Sequence, residues 1–279
     1  MEWYFALAFL LSLILIFMAI GTPIALAFLA ANVIGAWHFM GGQAGIMQML
    51  NNGFGALSSF NLVPIPLFLL MGELFFRTGL GMKMFNAVDQ LLGKVPGRLS
   101  YVTVVGGTAF STLSGSSMGS TALMGSLLVP EMERRGYKKK MAIGPILGTG
   151  GLAIIIPPSA LAVLLATLAK VDIGALLIAG ILPGLKLAGF YIVTIFIQTR
   201  LDPQSAPAYE LEPVPLRAKL KLIVTDILPM LSVMIIIVGM MLMGFATPSE
   251  AAAFGALGVI ILAFIFRCMT WEAFKLSVD

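Results

Sequence analysis

Two runs of small, polar and helix-breaking residues stand inside long apolar stretches: Ser114-Gly115-Ser116-Ser117, and Gly148-Thr149-Gly150-Gly151 through Ile156-Pro157-Pro158-Ser159. A helix broken inside a bilayer exposes carbonyls and amides that lipid cannot satisfy, so breaks persist where they are buried in protein or line a cavity. At the first run, a half-helix from Leu99 to Leu113 ends in carbonyls, the negative end of its dipole, and a second half from Ser117 to Glu133 begins in amides. Carbonyls and serine hydroxyls suit a small hard cation, and an amide end suits a carboxylate. At the second run, proline has no amide, so Pro157 and Pro158 release the carbonyls of Ala153 and Ile154. The glycines at 148, 150 and 151 are expected to loosen the same helix further. Paired interrupted helices are the sequence mark of a secondary transporter's ion and substrate site.

Each run has a plainer reading. Gly115 with Gly119, and Ser116 with Ser120, fit the small-xxx-small spacing of close helix packing. Pro157 and Pro158 fit a simple kink. A non-transporting membrane scaffold packed through small residues is therefore the alternative to a transporter.

The elements that must hold these runs follow from composition. With 59% apolar and 11% charged residues and a mean hydropathy of +1.01, the chain reads as an all-α polytopic membrane protein. The apolar spans are 3–20, 23–40, 62–78, 141–169, 182–199, 226–245 and 249–267. Residues 82–94 carry Met82, Phe85, Val88, Leu91 and Leu92 against Lys83, Asp89 and Lys94, the spacing of an amphipathic helix lying along the interface. Residues 42–59 and 270–278 read the same way. The stretch 200–225, stiffened by Pro203, Pro207, Pro213 and Pro215, reads as a linker that cannot fold alone. Met1-Glu2-Trp3-Tyr4 lacks a basic n-region, so the first apolar run should stay as a membrane helix.

Residues 99–133 are far too long to be one helix across a core of about 30 Å. Basic clusters flank them, at Arg77, Lys83, Lys94 and Arg98 before and at Arg134, Arg135, Lys138, Lys139 and Lys140 after. The inside-positive rule places both clusters in the cytoplasm, which a re-entrant hairpin satisfies and a single crossing does not. With the amino terminus periplasmic, Lys170 and Lys186 are then the only basic residues near the outer face. The net charge of +4 is accounted for by this bias, with no nucleic-acid partner.

Gly21-Thr22-Pro23 and Ala246-Thr247-Pro248, each between two apolar spans, fit an inverted repeat. They fit equally well two helix starts with threonine as cap and proline in the first turn. On the repeat reading, residues 1–225 form a first unit: scaffold helices 3–78, arm helix 82–94, re-entrant hairpin 99–133, broken helix 141–169, helix 182–199 and linker 200–225. Residues 226–279 begin a second, incomplete one.

Among the remaining polar residues, Glu73 and Arg77 are spaced to pair on one helix face near the cytoplasmic boundary, an intramembrane proton relay being the sharper alternative, and Glu250 is spaced to form a capping box with Thr247. Asp172, Asp202 and Asp226 fall at helix ends or loops, and His38 beside Trp37 reads as interfacial. One cysteine, one histidine, and no P-loop or Gly-x-Ser-x-Gly elbow leave no cofactor site or enzyme centre to expect. A gradient, not ATP, is expected to supply the energy.

Several stretches together resemble the large membrane subunit of tripartite ATP-independent periplasmic (TRAP) transporters. They are Ile65-Pro66-Leu67-Phe68-Leu69-Leu70-Met71-Gly72, the tip Ser114–Ser117, Pro130-Glu131-Met132 with Arg135-Gly136-Tyr137, Ile156-Pro157-Pro158-Ser159, Ala179-Gly180-Ile181-Leu182-Pro183-Gly184, and Ala246-Thr247-Pro248-Ser249-Glu250-Ala251-Ala252. The resemblance implies a sodium-driven elevator in the bacterial inner membrane that imports a small carboxylate, such as a C4-dicarboxylate or sialic acid. A periplasmic substrate-binding protein would deliver the carboxylate, and a small four-helix membrane subunit would be the partner. It also implies Na+ at Ser114, Gly115, Ser116, Ser117, Pro157, Pro158 and Ser159, and substrate at Ser116, Ser117 and Ser159. Sodium is then the coupling ion, with no other metal. Family members continue into a second hairpin and broken helix, so a chain stopping at Asp279 reads as an incomplete transporter.

Overall fold

The computed structural model describes residues 3–93, 95–207 and 215–278, and every regular element among them is helical. Met1, Glu2, Lys94, Pro213 and Asp279, which entered the reading above, lie outside the described residues. The chain divides into two compact units, Met1–Phe60 and Asn61–Asp279.

The first unit is α1 (Trp3–Ala19), α2 (Ile24–Phe39) and α3 (Gln43–Leu57), packed in sequence. Glycines allow the close approaches: a Cβ on Gly35 would lie 2.7 Å from Leu10 Cδ2, and one on Gly45 would strike the Ala36 carbonyl. At the α1–α2 turn Thr22 Oγ1 donates to the Phe17 carbonyl (2.7 Å) and makes no cap on α2. His38 stacks on Phe9, centroids 5.3 Å apart, and so serves this small aromatic cluster.

In the second unit, α4 (Pro64–Arg77) leads into α5 (Leu80–Leu91). Next come α6 (Arg98–Ser114) and α7 (Ser117–Arg134), then α8 (Lys139–Ile155), α9 (Ala160–Ala169) and α10 (Ile173–Leu201). A short α11 (Leu216–Leu222) runs through a π turn at Ile223–Ile227 into α12 (Leu228–Leu242), followed by α13 (Pro248–Ile265) and α14 (Trp271–Val278). By length and apolar character the segments Phe60–Arg77, Ile173–Leu201, Leu216–Leu242 and Pro248–Ile265 can each cross a membrane. The pair α8 and α9, bent by 48°, can form one broken span.

Residues 99–133 do not form one rod. Helices α6 and α7 fold back on each other, and their far ends meet again where the Leu99 amide donates to Tyr137 Oη (3.3 Å). Ser100 Oγ ties the same end to the Met141 carbonyl (2.8 Å). Arg98, buried here, donates through Nε to the Asp89 carbonyl (3.2 Å) and pairs with Asp89 Oδ1 (3.0 Å).

The apolar face of α5 meets α6 lengthwise: Gly81 packs on Phe110, Phe85 on Gly106, and Asp89 on Arg98. The amphipathic spacing alone suggested a face laid on lipid headgroups. Around this pair α4, α12 and α13 converge at Gly255, where a Cβ would lie 2.5 Å from Ile237 Cδ1 and 2.8 Å from Met71 Sδ. A second core joins Leu99 and Val102 of α6 to Leu128 and Met132 of α7, Met141 and Ile146 of α8, and Ile195 of α10.

Three expectations are corrected. The Gly148–Gly151 run does not loosen α8, which stays helical to Ile155. Its glycines instead admit neighbours: Gly148 abuts the Tyr191 ring (3.0 Å to a built Cβ), and Gly150 abuts Thr121 Oγ1. The span expected at 182–199 begins at Ile173, because Asp172 Oδ1 accepts the Ala175 amide (2.6 Å) as an N-cap, and Pro183 sits inside the helix. Finally, the stretch 200–225 is not all linker, since α11 lies within it. Lys138 Nζ holds Asp202 Oδ2 at 2.7 Å, and Lys140 Nζ approaches it at 3.6 Å. This joins the end of α10 to the start of α8.

Candidate functional site

Helix α6 ends because Gly115 turns left-handed (φ +59°), a conformation that a side chain would strain. The chain then re-enters a helix at Ser117 behind an extended Ser116, whose Oγ accepts the Gly119 amide (3.1 Å) as an N-cap. Ser114 Oγ and Ser120 Oγ lie 2.7 Å apart, and Ser120 Oγ donates to the Ser116 carbonyl (2.6 Å). The tip is thus a hydroxyl-laced turn, with Ser114 buried and Ser116 and Ser117 half-buried.

The second break lies between Ile155 and Ala160. Ser159, fully buried, donates to the Ile154 carbonyl (2.9 Å) and accepts the Ala162 amide (3.2 Å). The carbonyl that Pro158 was expected to release is therefore re-bonded by Ser159, within the break itself.

The two breaks come together. A Cβ built on Gly115 would lie 3.8 Å from the Pro158 carbonyl oxygen and 3.8 Å from that of Phe68 on α4. Of the residues proposed for a cation, Gly115 and Pro158 face each other with Ser116 and Ser117 flanking. Ser114 is turned away, its carbonyl against Gly72 and its hydroxyl against Ser120. Ser159 is engaged in capping α9.

Sequence reasoning missed the share of α4. Phe68 brings a carbonyl, Gly72 a surface without a side chain, and Glu73 a carboxylate to the tip. Glu73 does pair with Arg77 (3.2 Å), as its spacing foretold. Its place beside the tip depends on which helix α4 meets, which spacing does not encode. Ser111, one turn before the tip, was also missed. Its Oγ is buried without a hydrogen-bond partner among the described residues, an unusual state for a hydroxyl.

Chemically, the junction offers hard oxygen atoms from main chain and serine at the carbonyl end of one half-helix, beside the amide end of another. Such a junction can hold a small cation and an anion side by side. Among the described residues no group of three or more His, Cys, Asp or Glu is placed to hold a metal ion.

Comparison with known proteins places this geometry in context. A family model described as "Tripartite ATP-independent periplasmic transporter, DctM component" matches residues 11–276. The chain is 31% identical over 266 residues to the C4-dicarboxylate TRAP transporter large permease protein DctM of Vibrio cholerae, covering 95% of this chain and 57% of that protein. It is 34% identical over 259 residues to the 2,3-diketo-L-gulonate TRAP transporter large permease protein YiaN of Escherichia coli, covering 91% and 58%. Identity to the isethionate TRAP transporter permease protein DctMQ of Oleidesulfovibrio alaskensis is 30% over 260 residues, covering 93% and 40%. The chain spans about half the length of the curated relatives it matches.

Proposed function

Because the chain belongs to the DctM-component family of tripartite ATP-independent periplasmic transporters, we propose that it is the ion- and substrate-holding part of a sodium-coupled importer of small organic anions. The observation that carries this reading is the meeting of the hairpin tip with the Pro157-Pro158 break at Gly115. Sodium is assigned to the Gly115, Pro158 and Phe68 carbonyls with the Ser116 and Ser117 hydroxyls, hard oxygen donors of the kind half-helix ends present to such ions. The orphaned Ser111 hydroxyl, buried next to this turn, fits a site that gains a ligand.

A carboxylate is assigned to the amino-terminal end of α7, where Ser117 and the first amides face it with the helix dipole favourable. Ser116 and Ser159, the other residues assigned to substrate, support this pocket from their caps on α7 and α9. The names of the relatives point to small organic anions as the class carried. In this reading α6 and α7 enter the bilayer from the cytoplasmic side without crossing it, and the amino terminus is periplasmic. The helices move as an elevator, with a periplasmic binding protein delivering substrate and a small membrane subunit completing the assembly. The work is transport powered by the sodium gradient, not catalysis.

Uptake of labelled C4-dicarboxylates and related carboxylates tests the reading. Proteoliposomes would hold the large subunit that carries this sequence, a small membrane subunit and the binding protein. Uptake driven by an inward sodium gradient and lost in potassium is the expected result. Sodium-independent uptake, or none for any small organic anion, contradicts it.

A further inference from the structure

A cavity of about 100 Å³ opens between α4 and the hairpin tip, lined by Leu69, Glu73, Phe76, Ser114, Ser116 and Gly119 alongside Gly72. At roughly 30 Å³ per water it has room for about three waters, or for one ion with part of its hydration shell. Glu73 is the charged residue of that wall. Its Oε2 is held by Arg77 Nε at 3.2 Å, and Arg77 does not line the cavity.

On a water-facing helix such an i,i+4 pair contributes little and implies nothing. Here the pair closes the last turn of Phe60–Arg77, a segment long and apolar enough to cross a membrane, with both side chains about half exposed. At such an end a basic side chain reaches toward the interface, whereas a carboxylate that lines a cavity beside a helix break is placed to act on an ion path. The rest of the cavity wall is apolar, glycine or serine, so the Glu73 carboxylate, offset in part by Arg77 behind it, is the charge that faces the cavity.

We propose that Glu73 is the charge-bearing residue of the cation path: its carboxylate draws sodium into the cavity beside Ser114 and Ser116, and Arg77 tethers and partly offsets that charge. This rests on the sodium-coupled reading above. Glu73 acts on the ion from outside the carbonyl cage, as a specificity residue favouring cations at the approach to the tip.

The signs of two substitutions separate this from a structural salt bridge. Glu73→Gln removes the negative charge and Arg77→Gln the positive one, but both break the same pair. A Leu69→Cys reporter in a Cys268→Ser background, labelled by a membrane-impermeant thiol reagent across a sodium titration, reads the midpoint of protection. Glu73→Gln should raise that midpoint roughly three- to tenfold, Arg77→Gln should lower it, and Glu73→Asp should keep it near the parent value. An unchanged midpoint in Glu73→Gln, or shifts of the same sign in both charge-removing variants, overturns the inference. Sodium-independent uptake by the unsubstituted transporter removes the coupling reading and this inference with it. Sodium-coupled uptake with an unshifted Glu73→Gln midpoint removes this inference alone.

Discussion

The Cα of Gly72 on α4 sits against the main-chain carbonyl of Ser114, the last residue of α6, so closely that no side chain fits between them. The same arrangement recurs at the second break, where Gly180 of α10 sits against the carbonyl of Ile155, the last residue of α8. Each broken helix thus ends on a glycine of a neighbouring helix, where any side chain would strike the terminal carbonyl. These two seats fix where the half-helix ends point.

Gly72→Ala should therefore push α4 off the tip. The overpacking is expected to cost about 1–3 kcal/mol, read as a lower Tm in detergent. Sodium-dependent uptake should fall by more than the loss of folded protein explains.

The tip serines should differ in a diagnostic way. Ser116→Ala removes the cap on the Gly119 amide and should cost about 1 kcal/mol of stability as well as weaken the sodium response. Ser117 makes no such cap, so Ser117→Ala should weaken the sodium response with Tm nearly unchanged. An unchanged sodium half-saturation in both variants would take the tip out of the ion site.

Much of this arrangement is legible in the sequence because chain-breaking residues act locally. Four consecutive small or polar residues place the tip between α6 and α7, and a proline pair places the second break. The Thr247–Glu250 capping box forms as spaced, with Glu250 Oε2 accepting the Thr247 amide at 2.7 Å. What the sequence hides is the identity of each neighbour. Gly148 and Gly150 look like flexibility, but the Tyr191 ring and the Thr121 hydroxyl occupy the space their side chains would need. The apolar run 182–199 looks like a complete span, but the Asp172 cap had already begun α10 at Ile173. Glu73 reads from its spacing as half of a boundary pair or as part of a proton relay, and only the packing of α4 against the tip shows which cavity it lines.

The base of the hairpin depends on Arg98, which is buried and held by the Asp89 carbonyl and carboxylate. Arg98→Leu removes the nearer of the two cations, Arg98 and Arg135, that face the partly buried Asp89 carboxylate. The loss should be about 3 kcal/mol, seen as a depressed Tm and poor yield.

A pH effect is expected at Asp202. Its hydrogen bond from Lys138, aided by Lys140, holds the carboxyl below the usual carboxylate range. A depressed folded pKa means the stabilisation is present above the unfolded pKa, near 3.9, and is lost as pH falls through the lower folded value. Asp202→Asn should therefore flatten the acid side of a stability-against-pH curve. A variant curve parallel to the parent below about pH 4 would rule out this contact as a source of acid sensitivity.

The central claim, that the apex of the hairpin binds sodium where it meets the proline break, is tested most directly at Ser117. In a Cys268→Ser background, the rate at which a membrane-impermeant thiol reagent labels Ser117→Cys should fall in sodium and stay high in potassium at equal ionic strength. Equal labelling rates in the two salts would contradict the account and favour a scaffold packed through its small residues.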